Sequence, residues 1–118
     1  MASTLPTRPD QTQLGRDFTG ELHDGYRHLL RTINYRATAF MAMVARHGGV
    51  DAARLLLRGR DTHEGFTRLW QEKMLEHSVE AVVIKPEYAA LFTDDERTVA
   101  RQRLERHGFD VDGYLGRR

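Results

Sequence analysis

Five apolar residues near the start of the chain constrain its fold more than anything else in it. Phe18, Leu22, Tyr26, Leu29 and Ile33 recur at spacings of four, four, three and four. On a helical wheel they fall in one narrow arc, which Leu30 widens, while Asp17, Glu21, Asp24, Arg27, His28 and Arg31 take the other side. Such a stripe must be buried against other elements. It predicts a first helix over residues 15–33, weakened locally by Gly20 and Gly25.

The rest of the chain carries the same period in shorter pieces. A second helix is expected over 35–47, with Asn34 as N-cap and an apolar stripe of Ala37, Phe40, Met41 and Val44. Gly48 and Gly49 end it, because glycine readily takes the left-handed conformation at a helix C-terminus. A third helix is expected over 51–58 and buries Val50, Ala53, Leu56 and Leu57. Asp61 and Glu64 have the spacing of a capping box for a fourth helix over 62–75, lined by Phe66, Leu69, Trp70 and Met74. Residues 78–84 read as a short fifth helix capped by Ser78. The run Val79–Ile84 also suits a strand, but no partner strand is evident. Pro86 breaks it, and one more helical turn fits 88–92. Thr93–Asp94–Asp95–Glu96 is a strong start for a last helix, which ends at His107 with Gly108 and Phe109 beyond it.

The fold class implied is all-α, a compact single domain of five to six short helices. Residues 1–13 read as a flexible N-terminal tail, 14–109 as the helical domain and 110–118 as a polar C-terminal tail. A chain of 118 residues is long enough for one core. The core candidates are Phe18, Leu22, Tyr26, Leu29, Ile33, Phe40, Val44, Leu56, Phe66, Leu69, Trp70, Val82 and Val99.

Composition removes several function classes. With no cysteine there is no disulfide, thiol catalysis or cysteine-ligated zinc or iron–sulfur site. No apolar run approaches the roughly 18 residues of a membrane span, and the polar N-terminus does not read as a signal peptide. A cytoplasmic protein without membrane contact is expected. Net charge is +1 but uneven. Residues 16–60 hold eight Arg against four acids, a balance of +4, and residues 61–118 hold nine Arg or Lys against twelve acids, a balance of −3. That asymmetry suits association with a protein partner or with a second copy. Arg outnumbers Lys sixteen to two, yet the Arg residues are not clustered as a nucleic-acid footprint would require.

Six segments in order resemble a known family. They are residues 35–40 (Tyr-Arg-Ala-Thr-Ala-Phe), 47–56, 65–70 (Gly-Phe-Thr-Arg-Leu-Trp), 78–84, 86–88 and 91–96. As a set they resemble a family of small all-helical bacterial proteins of roughly this length to which no activity is assigned. The resemblance covers about residues 18–109. It implies a bacterial source and an α-helical fold, and it transfers no site residues.

Several constellations invite chemistry, and each has a plainer reading. Glu21, Asp24 and His28 share one face of helix one and could hold a metal, but that face lies opposite the apolar stripe, where carboxylates stay solvated. His63 and Glu64 follow Arg60, Asp61 and Thr62 in a polar loop; binding competes there with helix capping. Glu80 interrupts the most apolar run in the chain, either as a buried acid near His77 or as a solvent-facing residue. Arg103 and His107 fall on the same arc of the last helix as Glu96, Val99 and Ala100, as an oxyanion or partner site or as a stem laid over the core. Trp70, with Phe66 and Met74, reads as core before it reads as a partner hot spot. No G-x-G-x-x-G, P-loop, H-E-x-x-H or G-x-S-x-G pattern is present. No catalytic residue, cofactor or metal is assigned, and an enzyme is not expected.

The candidate binding residues are therefore Arg60, His63, Glu64, Arg103 and His107, in a non-catalytic helical module that binds a protein partner or itself. The alternative is a nucleic-acid-associated accessory protein using Arg27, Arg31, Arg36, Arg54 and Arg58. A helix-turn-helix across helices two and three would present Asp51, Arg54, Arg58 and Arg60, but Leu55–Leu57 leave little of that helix free to enter a groove.

Overall fold

Thr12 begins the first helix by accepting a hydrogen bond from the Gly15 amide at 2.9 Å, and its own hydroxyl donates to the Pro9 carbonyl. Helix α1 then runs Gln13–Ile33. The computed structural model describes residues 9–59 and 63–117, with the side chain of Asp10 left aside. The described residues form seven α-helices in order: α1, α2 (Thr38–His47), α3 (Gly49–Arg58), α4 (Glu64–Gln71), α5 (Val79–Val83), α6 (Asp94–Arg106) and α7 (Val111–Gly116). Short 3₁₀ turns cover Pro9–Gln11, Leu75–His77 and Pro86–Leu91. There is no strand among the described residues, so the all-α single domain holds and Val79–Val83 is helix.

The core is built around α5. All five of its residues are buried, and it packs against α1, α3 and α6. Ser78 caps it by accepting from the Ala81 amide at 3.1 Å. Phe18 of α1 reaches the same centre and meets the rings of Tyr88 and Phe92 edge-on, at 5.2 and 5.1 Å between centroids. Helix α3 crosses close to α1 at Gly49. A Cβ there would stand 3.0 Å from the Thr19 Cα, so only glycine permits the approach.

Local chemistry moves several expected boundaries. Asn34 does not cap α2. It closes α1 in the left-handed conformation (φ 54°), with its amide bonded to the Leu29 carbonyl. Asn tolerates that conformation better than other side chains. Helix α2 therefore starts at Thr38, after Ala37, which is itself left-handed (φ 43°) and gives no side-chain cap. Gly48 ends α2, but with φ 87° and ψ 159° rather than in the left-handed conformation expected, and Gly49, expected to end α2 with it, is the first residue of α3. The fourth helix is shorter than its period suggests. Lys73 turns left-handed (φ 58°), and the Met74 amide bonds back to the Leu69 carbonyl. Asp61 and Thr62 lie outside the described residues, and the N-cap of α4 is His63.

Helix α6 carries the full reciprocal capping box of Thr93 and Glu96, at 3.1 and 2.8 Å. It ends with Gly108 at φ 80° and Phe109 bonded back to Leu104. Beyond it, within the stretch assigned to a polar tail, Asp110 caps α7 and Val111 is buried. Trp70, expected in the core, is 48% exposed. Phe66 and Leu69 are buried, while Trp70, one residue before the end of α4, sits at the margin of the core with its ring edge-on to His107, which Phe66 also meets. Tyr26, Ile33, Phe40, Leu56 and Val99 are half-buried rather than central.

Candidate functional site

A groove of about 870 Å³ opens among the described residues. Helix α1 forms one wall from Glu21 to Leu29, a length of about 12 Å at the helical rise. Phe40, Met41 and Met43 of α2 line it opposite, with Leu56 of α3 and Val82 of α5. It exists because α2 buries only Val44 and packs chiefly on α3, leaving the rest of its apolar side half-covered.

One end of the groove is made where α1 finishes and α4 begins. Tyr35, Arg36, His63 and Glu64 stand there. The Arg68 guanidinium lies over the Tyr35 ring, 5.6 Å from its centroid, and bonds the Ile33 carbonyl at 3.1 Å. Burial, and then the nearby Glu64 carboxylate, push the Tyr35 phenol above its ordinary pKa. The other end gathers Glu21, Asp24, His28, Glu76, His77 and Lys85. Glu21 is held by Lys85 and, at 2.8 Å, by the Tyr88 hydroxyl. Burial and that hydrogen bond push the Tyr88 phenol well up. His28 and His77 stack with ring centroids 4.5 Å apart. Burial lowers the His77 pKa, Glu76 raises it, and His28 and Lys85 add to the lowering.

Behind the His63 end lies a buried ion pair. Glu80 is fully buried on α5 and Arg103 is 2% exposed on α6. Arg103 Nη1 donates to Glu80 Oε2 at 2.8 Å, Nη2 donates to the Gly59 carbonyl at 2.9 Å, and Nη1 also reaches the Leu56 carbonyl at 3.4 Å. His63 completes the set. Its Nδ1 accepts the Phe66 amide at 3.1 Å, so the neutral ring carries its proton on Nε2 and donates it to Glu80 Oε2 at 3.0 Å. Burial pushes the Glu80 carboxyl up, but hydrogen bonds from His63 and then Arg103 outweigh it and hold the carboxyl below its ordinary value.

This cluster joins the residues singled out in sequence in an unforeseen way. Arg103 is neither an oxyanion site nor a stem with its head in water; its guanidinium is spent inside the protein on Glu80 and on the end of α3. Both His63 nitrogens are engaged, one by the cap and one by Glu80. His63 and Glu64 reach the groove. His107 does not. Its Nδ1 donates to the Arg103 carbonyl at 2.8 Å, and it lines a smaller hollow of about 550 Å³ beside Trp70 and Phe109. Arg60 lies outside the described residues.

The face of α1 that carries Glu21, Asp24 and His28 is not the open surface expected of it. Glu21 and His28 are half-buried at the groove, each with a different neighbour, and Asp24 pairs with Arg27 at 2.8 Å. Among the described residues no group of three or more His, Asp or Glu is placed to hold a metal ion. The arginines of the nucleic-acid alternative are dispersed. Arg54 turns inward to Glu96 at 3.4 Å, Asp51 at 3.6 Å and the Phe92 ring, tying α3 to α6. Arg27 is paired, Arg36 is at the groove, and Arg31 and Arg58 are exposed on different helices.

Sequence reasoning missed the Lys85–Glu21–Tyr88 tie and the His28–His77 stack, whose partners come from distant segments with no local signal. Among the described residues no helix is long and apolar enough to cross a membrane. No protein family, curated protein or solved structure matches the chain.

Proposed function

We propose that this protein is a non-catalytic interaction module that seats an α-helix of a partner protein in the groove between α1 and α2. The observation that carries the reading is the groove itself, two helical turns long, apolar along its floor and left half-covered by α2. A short amphipathic helix fits such a trough through residues spaced i, i+4 and i+7. Met41 and Met43 suit the role, because unbranched thioether side chains repack around different shapes. The buried Glu80–Arg103–His63 set supports it as a brace. It fixes α5, α6, the end of α3 and the start of α4, so that the groove has a firm wall opposite a looser one. The reading places the module in the cytoplasm.

The test is a complex isolated from the source cells, washed at high salt, reconstituted from purified components and sized by light scattering. Met41→Glu, in the groove, should abolish it, and Arg58→Glu, on the exposed end of α3, should not. A bare monomer, or a complex that holds nucleic acid and is lost only with Arg58→Glu, overturns the proposal.

A further inference from the structure

The charges on the groove say what kind of helix it takes. Its lining holds four acids, Glu21, Asp24, Glu64 and Glu76, against two cations, Arg36 and Lys85, a balance of −2 on a chain whose overall charge is +1. Glu21 and Asp24 are already answered, by Lys85 and by Arg27. The other two acids are not. Glu64 forms no ion pair with a described residue, and Glu76 has only the His77 ring at 3.7 Å.

These two acids stand apart along the groove. Glu64 adjoins Tyr35, where its charge acts on the phenol. Glu76 adjoins His77, which stacks on His28. His28 lies within α1, whereas Tyr35 stands beyond its C-terminus, after the left-handed Asn34. Met41, Met43 and Leu56 belong to the apolar lining of the same groove.

We infer that the partner segment is a cationic amphipathic helix. Its apolar side meets the methionine-lined side of the groove, and Lys or Arg side chains toward its two ends meet Glu64 and Glu76. Arg36, at the Glu64 end, forms no ion pair with a described residue and sets the polarity: it repels a cation placed beyond Glu64 and accepts the partially negative C-terminus of the incoming helix. This inference rests on the groove reading above, and it adds the charge of the occupant.

Two synthetic peptides of about 15 residues test it, one of Leu and Lys and one with every Lys replaced by Glu, both patterned for an apolar stripe. Their binding to the full chain is followed by fluorescence anisotropy. The Leu/Lys peptide should bind and the Leu/Glu peptide should not. Glu64→Gln with Glu76→Gln should weaken the Leu/Lys peptide about fivefold, the size expected of two rim pairs, and Met41→Glu should abolish its binding. Circular dichroism reports that each variant is folded. Equal binding of both peptides, lost with Met41→Glu, overturns the cationic assignment and leaves the groove reading standing. Binding of the Leu/Lys peptide that is indifferent to Met41→Glu overturns both. A dimer in light scattering that Met41→Glu dissociates replaces the foreign helix with a second copy of this chain.

Discussion

Arg103 donates a 2.8 Å hydrogen bond to Glu80 with both side chains buried, and the same guanidinium holds the carbonyl that ends α3. A buried pair of this kind adds little net stability over well-packed apolar residues, yet removing one partner strands the other charge. Glu80→Gln should therefore lower the unfolding free energy by about 3–5 kcal/mol. The double variant Glu80→Leu, Arg103→Met should recover most of that loss. Urea unfolding of the three proteins measures both, and a double variant as weak as the single one contradicts the account.

Acid acts on the same carboxyl. The folded pKa of Glu80 lies below its ordinary 4.5, so the unfolded chain takes up the proton first. The stability this group contributes is whole above 4.5 and is lost as pH falls through the folded pKa. His77 behaves with the same sign at higher pH. Its folded pKa lies below 6.5, so its contribution falls once pH drops under that value. Thermal melts should decline in two stages on acidification, and His77→Gln should flatten the upper one only.

His63 should be neutral with its proton on Nε2, because Nδ1 is the acceptor that caps α4. Nitrogen-15 shifts of the ring report this directly. A ring protonated at Nδ1 in the folded protein would be incompatible with the cap. His63→Ala loses the cap, worth about 1 kcal/mol, together with a hydrogen bond to a buried carboxylate. His63→Asn should restore the cap and leave the bond to Glu80 missing, so its stability should fall between the two.

Ala37 is held left-handed, a conformation that costs a side chain roughly 1 kcal/mol. Ala37→Gly should raise stability by about 0.5 kcal/mol at most, the strain relieved less the added freedom of the unfolded chain. A lowered urea midpoint would show that the elbow before α2 is not strained.

Trp70 gives a simple optical check of where α4 ends. At 48% exposure its fluorescence should be red-shifted and open to quenching by acrylamide. Trp70→Ala should cost far less than Phe66→Ala, for which about 3–5 kcal/mol is expected at a fully buried ring.

What was legible in the sequence was whatever short-range chemistry decides. The helix of α1, the Thr93–Glu96 box and the Gly108 stop all depend on residues within one or two turns and stand as read, with Phe18, Leu22 and Leu29 of the α1 stripe buried and Tyr26 and Ile33 only half-buried. Asn34 could have capped either helix beside it, and its left-handed backbone assigned it to α1. The length of α4 hung on Lys73, a residue type that carries no left-handed signal. For the site, Glu80 and Arg103 were each conspicuous as charges on apolar arcs. Their pairing was not, because they lie 23 positions apart on different helices. The groove was invisible for a related reason: α2 has an apolar stripe like its neighbours, and nothing local says that the stripe goes half-covered.

Left-handed backbone at Ala37 and positive φ at Gly48 bound α2 at both ends, and a single buried valine anchors it between them. Its amides should exchange with solvent through a local opening that spares the sealed helix α5. The free energy of that opening would depend weakly on urea, because little surface is uncovered, whereas the amides of α5 would exchange only through global unfolding. The molecule would then have two separable stabilities, one for the α2 wall of the groove and one for the frame built around α5.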